Sequence, residues 1–158
     1  MDYGSLMVTR MTVTVIMILL CSAATGLADG KVYKVLPQLL DKQGRHTLSP
    51  SLFERDAYQE FLHESPEQRG GLRFAVLWKA RNVADESLTI RVEFLSAAGG
   101  SSAPKLVEQT VKRPRFGRRW TYIQVGEKDA QNMQELLAWR VTLWAGKKEI
   151  AETRSFLW

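Results

Sequence analysis

Between Leu72 and Phe94 the apolar residues of this chain fall on every second position, and that period dictates a sheet. Leu88, Ile90, Val92 and Phe94 alternate with Thr89, Arg91 and Glu93, while Phe74, Val76, Trp78 and Ala80 alternate with Arg73, Ala75, Leu77, Lys79 and Arg81. Successive side chains of a strand point to opposite faces, so each run presents one apolar face and one mixed face. A slip of one residue would carry every apolar side chain into water, which pins the register. The expected core stripe is Leu88, Ile90, Val92 and Phe94 facing Phe74, Val76 and Trp78, with Trp139, Val141 and Leu143 also inside.

Further strands follow the same logic. Lys31–Leu36 is a short β-type run, expected to stop at Pro37. Leu106–Val111 and Trp120–Val125 are joined by a basic segment, and Leu137–Ala145 pairs with Ile150–Trp158 around a Gly146-Lys147-Lys148 turn. Ala97–Pro104 reads as a loop, and Gly126–Leu136 holds enough helix formers for a turn or two of helix. One helix stands out around residues 50–64. Pro50 suits a first turn, Ser51 and Glu54 have the spacing of a capping box, and Leu52, Phe53, Ala57, Tyr58, Phe61 and Leu62 recur at helical spacing.

Seven strand candidates with turn signals between them, and one early helix, predict a mainly β chain: a single antiparallel β-sandwich with the helix inserted and packed on it. The final hairpin runs Leu-Ala-Trp-Arg-Val-Thr-Leu-Trp from Leu137 to Trp144 and resumes as Ile-Ala-Glu-Thr-Arg-Ser-Phe from Ile150 to Phe156. It resembles the last two strands of an immunoglobulin-like domain. The resemblance implies an immunoglobulin- or fibronectin-like sandwich and carries no functional motif.

The first 28 residues read as an address. Arg10 precedes an apolar run from Met11 to Ala23, and Gly26 and Ala28 place small residues before Asp29. These are the parts of a secretory signal peptide cleaved after Ala28. The apolar run is shorter than the roughly 20 residues of a spanning helix, so no stable membrane span is expected after cleavage. Leu20 stands before Cys21 where a lipoprotein signal needs a small residue, which argues against acylation. The mature chain, 29–158, then retains 21 Lys and Arg against 16 Asp and Glu, and loses Cys21, the single cysteine. An exported domain without a disulfide relies on its core alone, which suits a bacterial periplasm or cell surface.

Catalytic signatures are sparse. His46 and His63 are the two histidines, and His63 shares a helix face with Glu60 but lacks the spacing of a zinc site. There is no nucleophile elbow, and Gly146-Lys147-Lys148 lacks the rest of a phosphate loop. Neither cofactor nor metal is expected. The sharpest local signal is Lys112-Arg-Pro-Arg-Phe-Gly-Arg-Arg119, with five cations in eight residues and no acid. Pro114 and Gly117 mark it as a loop. Lys112, Arg113, Arg115, Arg118 and Arg119 raise a local positive potential beside Phe116, and behind a signal peptide the natural partner is an anionic envelope polymer rather than nucleic acid. The bland reading is a solvated loop whose charge deters strand-to-strand pairing.

Trp144 is the second candidate, since it shares a strand face with Arg140 and Thr142 rather than with the core. Its ring would stack on a sugar, or lie beneath the 50–64 helix. The expectation is an exported, non-catalytic, monomeric module that binds or supports an unknown protein or anionic polymer of the envelope. The rival is a hydrolase acting on an envelope polysaccharide through a carboxylate pair.

Overall fold

The computed structural model describes residues 28–83, 87–97, 103–127 and 135–158. The chain order is β1 (Asp29–Asp41), α1 (Leu52–Glu64), a short 3-10 turn (Pro66–Gln68), β2 (Arg69–Arg81), β3 (Leu88–Ser96), β4 (Lys105–Val111), β5 (Arg119–Val125), β6 (Leu136–Ala145) and β7 (Lys148–Arg154). All strand pairs are antiparallel, in a three-stranded sheet ordered β1-β2-β5 and a four-stranded sheet ordered β4-β3-β6-β7. In immunoglobulin lettering this is A-B-E against C-F-G, with the fourth strand on C rather than on E. The fold is an immunoglobulin-like β-sandwich.

The alternating residues meet between the sheets as expected. Phe74, Val76, Trp78, Leu88, Ile90, Val92, Phe94, Val141 and Leu143 are all at most 1% exposed, with Trp139 packed against them half-buried. The Trp78 indole keeps its N–H satisfied by donating to Thr121 Oγ1 at 2.8 Å, so the largest core side chain carries no unpaired polar atom.

β1 continues through Pro37 to Asp41, contrary to the expected stop. It is an edge strand bonded to β2 alone, with Pro37 opposite Phe74, and an edge tolerates a residue without an N–H. The last strand ends at Arg154 instead of Trp158. There Ser155 N–H donates to the Trp139 carbonyl at 2.8 Å and Ser155 Oγ accepts from Trp139 N–H at 3.0 Å, turning the chain out of the sheet. Leu136 belongs to β6 rather than to a helix, and most of the helical stretch expected between β5 and β6 lies outside the described residues. So does the segment up to residue 27.

The helix departs furthest from its expected packing. Leu62 is buried, but Leu52, Phe53 and Phe61 are 68%, 83% and 47% exposed. Polar contacts hold it instead. Gln59 accepts from the Leu39 N–H at 2.8 Å and donates to the Leu39 carbonyl at 3.0 Å, closing the open edge of β1. Ser51 makes no side-chain cap, so the capping box is not realised.

Tyr58 donates to Asp41 Oδ2 at 2.7 Å, and Asp41 also accepts from the backbone N–H of Gln43 and of Arg45 and from the Arg45 guanidinium. Gly70 lies beside this turn, where a Cβ would sit 2.3 Å from the Asp41 carbonyl oxygen. Only glycine lets the strands approach that closely.

Burial by itself pushes the Asp41 carboxyl up, but the Arg45 N–H, the Tyr58 hydroxyl and the Arg45 side chain outweigh it and bring its pKa from 3.8 down to about 2. A depressed carboxyl stabilises the fold above its unfolded pKa and loses that contribution as pH falls toward the folded value. Arg45 is half exposed, so solvent screening reduces the effect to about 1–2 kcal/mol. Denaturant midpoints taken from about pH 5 down to about pH 2 should show this loss in the wild type and not in Asp41→Asn.

Candidate functional site

The outer faces of the two sheets carry opposite electrostatic designs. On the four-stranded sheet, charges are matched across strands. Arg91 Nε lies 2.6 Å from Glu108 Oε1, and Arg140 Nε lies 3.0 Å from Glu93 and 3.9 Å from Glu152, which also faces Arg154 at 3.9 Å. The Arg91 and Arg140 Nε atoms are close to these oxygens without hydrogen-bond alignment, so the contacts are electrostatic. Such pairs contribute little stability at a surface, but they cancel the field locally.

The three-stranded sheet has no such cancellation. β2 and β5 contain no acid, and in β1 the acids are confined to the two ends, Asp29 and the buried Asp41. Register places Lys34, Leu77 and Trp120 in one row of the outer face, Leu36, Ala75 and Tyr122 in the next, and Gln38, Arg73 and Gln124 beyond; Lys31 and Lys79 pair at the other end. A bulge at Tyr33 turns its ring outward. None of Lys31, Lys34, Arg73 and Lys79 is ion-paired to a described acid.

The basic loop runs into this face. It crosses from β4, at the edge of one sheet, to β5, at the edge of the other. Gly117, with φ of +68°, makes its turn. Arg118 then reaches back over the Tyr33 ring at 4.9 Å from the centroid, joined there by Lys31 at 5.3 Å. Arg73 lies over Tyr122 at 4.7 Å. Phe116 is 92% exposed at the tip, and Lys112, Arg115 and Arg119 are exposed beside it. Arg113 differs from its neighbours, because its Nη1 donates to the Val83 carbonyl at 2.7 Å and ties the loop to the end of β2. It braces the loop.

Trp144 is not part of this surface. It sits on the outer face of the four-stranded sheet, its N–H donating to Thr142 Oγ1 at 2.8 Å and its ring covered by the Arg91 guanidinium at 4.2 Å. α1 packs against β1, in the other sheet, so a cation covers this ring and the helix does not. The surface that gathers the loop also includes Lys31, Tyr33, Lys34, Arg73, Lys79, Trp120 and Tyr122, which the sequence reading did not single out. Their signal was the scarcity of acids in three separate strands, and it becomes a surface only once those strands are neighbours.

A cleft of about 440 Å³ at the opposite end of the sandwich is lined by Leu40, Asp41, Lys42, Gly70, Gln124 and Glu127 among others. Asp41 and Glu127 both line it, and Asp41 is held ionised by its donors. No group of three or more His, Cys, Asp or Glu poised to hold a metal occurs among the described residues.

No family model and no curated protein matches this chain. Among solved structures, an immunoglobulin-like protein from Pseudomonas aeruginosa aligns over 82% of this chain and 96% of its own length, at 10% identity and a TM-score of 0.37. At that distance the likeness says nothing of function, and the fold assignment rests on the strand order.

Proposed function

We propose that this protein is an exported, non-catalytic binding module of the bacterial cell envelope that holds an anionic polymer against its three-stranded sheet. The observation that carries this reading is the segregation of charge. One outer face balances its acids and bases in cross-strand pairs, while the other, with the adjoining loop, collects cations and exposed aromatic rings and, among the described residues, carries an acid only at its end, Asp29. Uncompensated cations on a folded surface repel one another, and a polyanion relieves that repulsion. Arginine dominates the loop, and its planar fork grips carboxylate or phosphate groups in two places at once. Export rests on the Arg10, apolar run and Gly26-Leu27-Ala28 arrangement.

The test is a pull-down on heparin, lipopolysaccharide and a teichoic-type polymer at low and high salt. Wild type should be retained at low salt and released as salt rises, since screening weakens exposed contacts first. Arg115→Ser, Arg118→Ser and Arg119→Ser together with Lys79→Ser should abolish retention and leave the melting temperature within a few degrees, because solvated cations add little stability. Arg113 is left in place to preserve its bond to Val83. Wild type that ignores every anion at low salt would make the basic face a solvated surface and end the proposal.

A further inference from the structure

The fully buried rings of this protein, Trp78, Phe74 and Phe94, lie between the sheets, yet β5 turns Trp120 and Tyr122 outward at 39% and 51% exposure. They stand two residues apart on one strand, roughly 6.6 Å along it by the strand rise. Leu77 and Ala75 of β2 form the floor beside them. Ala75 is buried, but Trp120 and Tyr122 leave apolar ring surface in water, which carries a free-energy cost. The two rings are not equivalent. Tyr122 has the Arg73 guanidinium against it, whereas no cation of the described residues is seated over Trp120, whose row continues to Leu77 and Lys34.

From this geometry we infer that the partner on the basic face is an acidic polysaccharide, a sugar ring stacking on Trp120 beside the cation-capped Tyr122 while its acidic groups meet Arg73, Lys34 and Arg118. The inference rests on the anionic-polymer reading and names the polymer's class. A polyphosphate or polyol-phosphate chain presents charge but no flat apolar surface, so it uses the cations and leaves the strip wet. A pyranose ring presents one face of C–H groups, which fits an aromatic plane, and rim substituents that carry charge. Flat apolar surface beside cations therefore matches an acidic sugar on both counts. The stacking component is uncharged, so salt does not screen it as it screens the ion pairs.

The experiment measures affinity of the folded chain, residues 29–158, for polygalacturonate and for inorganic polyphosphate of matched charge at low and high salt. Wild type is expected to bind polygalacturonate about tenfold more tightly than polyphosphate, and to retain part of that affinity at high salt. The double variant Trp120→Ala and Tyr122→Ala should lose this advantage, about tenfold, with polyphosphate affinity unchanged. Circular dichroism checks that the variant is folded, since an unfolded basic chain also attracts polyphosphate, and Trp120→Phe should restore most of the loss. If wild type binds both polymers equally, or prefers polyphosphate, or if the double variant keeps the sugar preference, the polysaccharide assignment is wrong while the anionic-polymer reading stands. If wild type binds neither polymer at low salt, the underlying reading fails as well.

Discussion

Val92→Asp should leave this protein unfolded at room temperature. Val92 is fully buried in the middle of β3, directly opposite Val107 of β4 and Val141 of β6. Its side chain faces the other sheet within the apolar core cluster, a poor environment for a carboxylate. Burying an unpaired acid costs several kcal/mol even after its pKa rises to neutralise it, against a total stability of about 5–15 kcal/mol for a domain. Circular dichroism should show no cooperative melt. Val92→Ala, which removes only packing, should retain one and lose about 2 kcal/mol. A Val92→Asp variant melting within a few degrees of wild type would mean that the inward face has been misassigned.

Arg69→Met should release the helix while leaving the sandwich assembled. Arg69 is 1% exposed at the start of β2, where its guanidinium donates to the Leu62 carbonyl at 2.6 Å and also to the His63 carbonyl. These carbonyls belong to the last turn of α1, whose carbonyl groups have no partners within the helix and carry its negative pole. Burial pushes the Arg69 pKa down, yet an arginine stays charged at any working pH. Methionine of similar length would keep the packing but leave the carbonyls unmet, at a cost of about 2–4 kcal/mol. Limited proteolysis should then cut first between Leu52 and Glu64, at lower protease concentrations than in wild type. Arg69→Lys, with a single point charge in place of the fork, should fall between the two. Unchanged cleavage and melting in Arg69→Met would show that Leu62, Gln59 and Tyr58 hold the helix without it.

The sequence by itself determined which residues of β2, β3 and β6 face inward, because side-chain alternation is a property of the strand alone. Leu88 to Phe94, Phe74 to Trp78, and Val141 with Leu143 needed no knowledge of their neighbours. The basic loop was legible for a similar reason, since its five cations are consecutive enough to act together in any fold. What alternation does not encode is who lies beside whom. Pro37 ends a strand in isolation and is harmless on an edge, and only the order β1-β2-β5 makes β1 an edge. The apolar residues of α1 suggested a buried face, but Gln59 and Arg69, on different elements, moored the helix by its polar groups and left Phe53 and Phe61 in water. Trp144 could be assigned to an outer face from its position in β6. That Arg91 covers it followed from pairing β6 with β3, some 50 residues away in the chain. The candidate site is the extreme case. Lys34, Arg73 and Trp120 are unremarkable in their own strands, and they become one surface because backbone hydrogen bonding, whose partners are nonlocal, lays three acid-poor strands side by side.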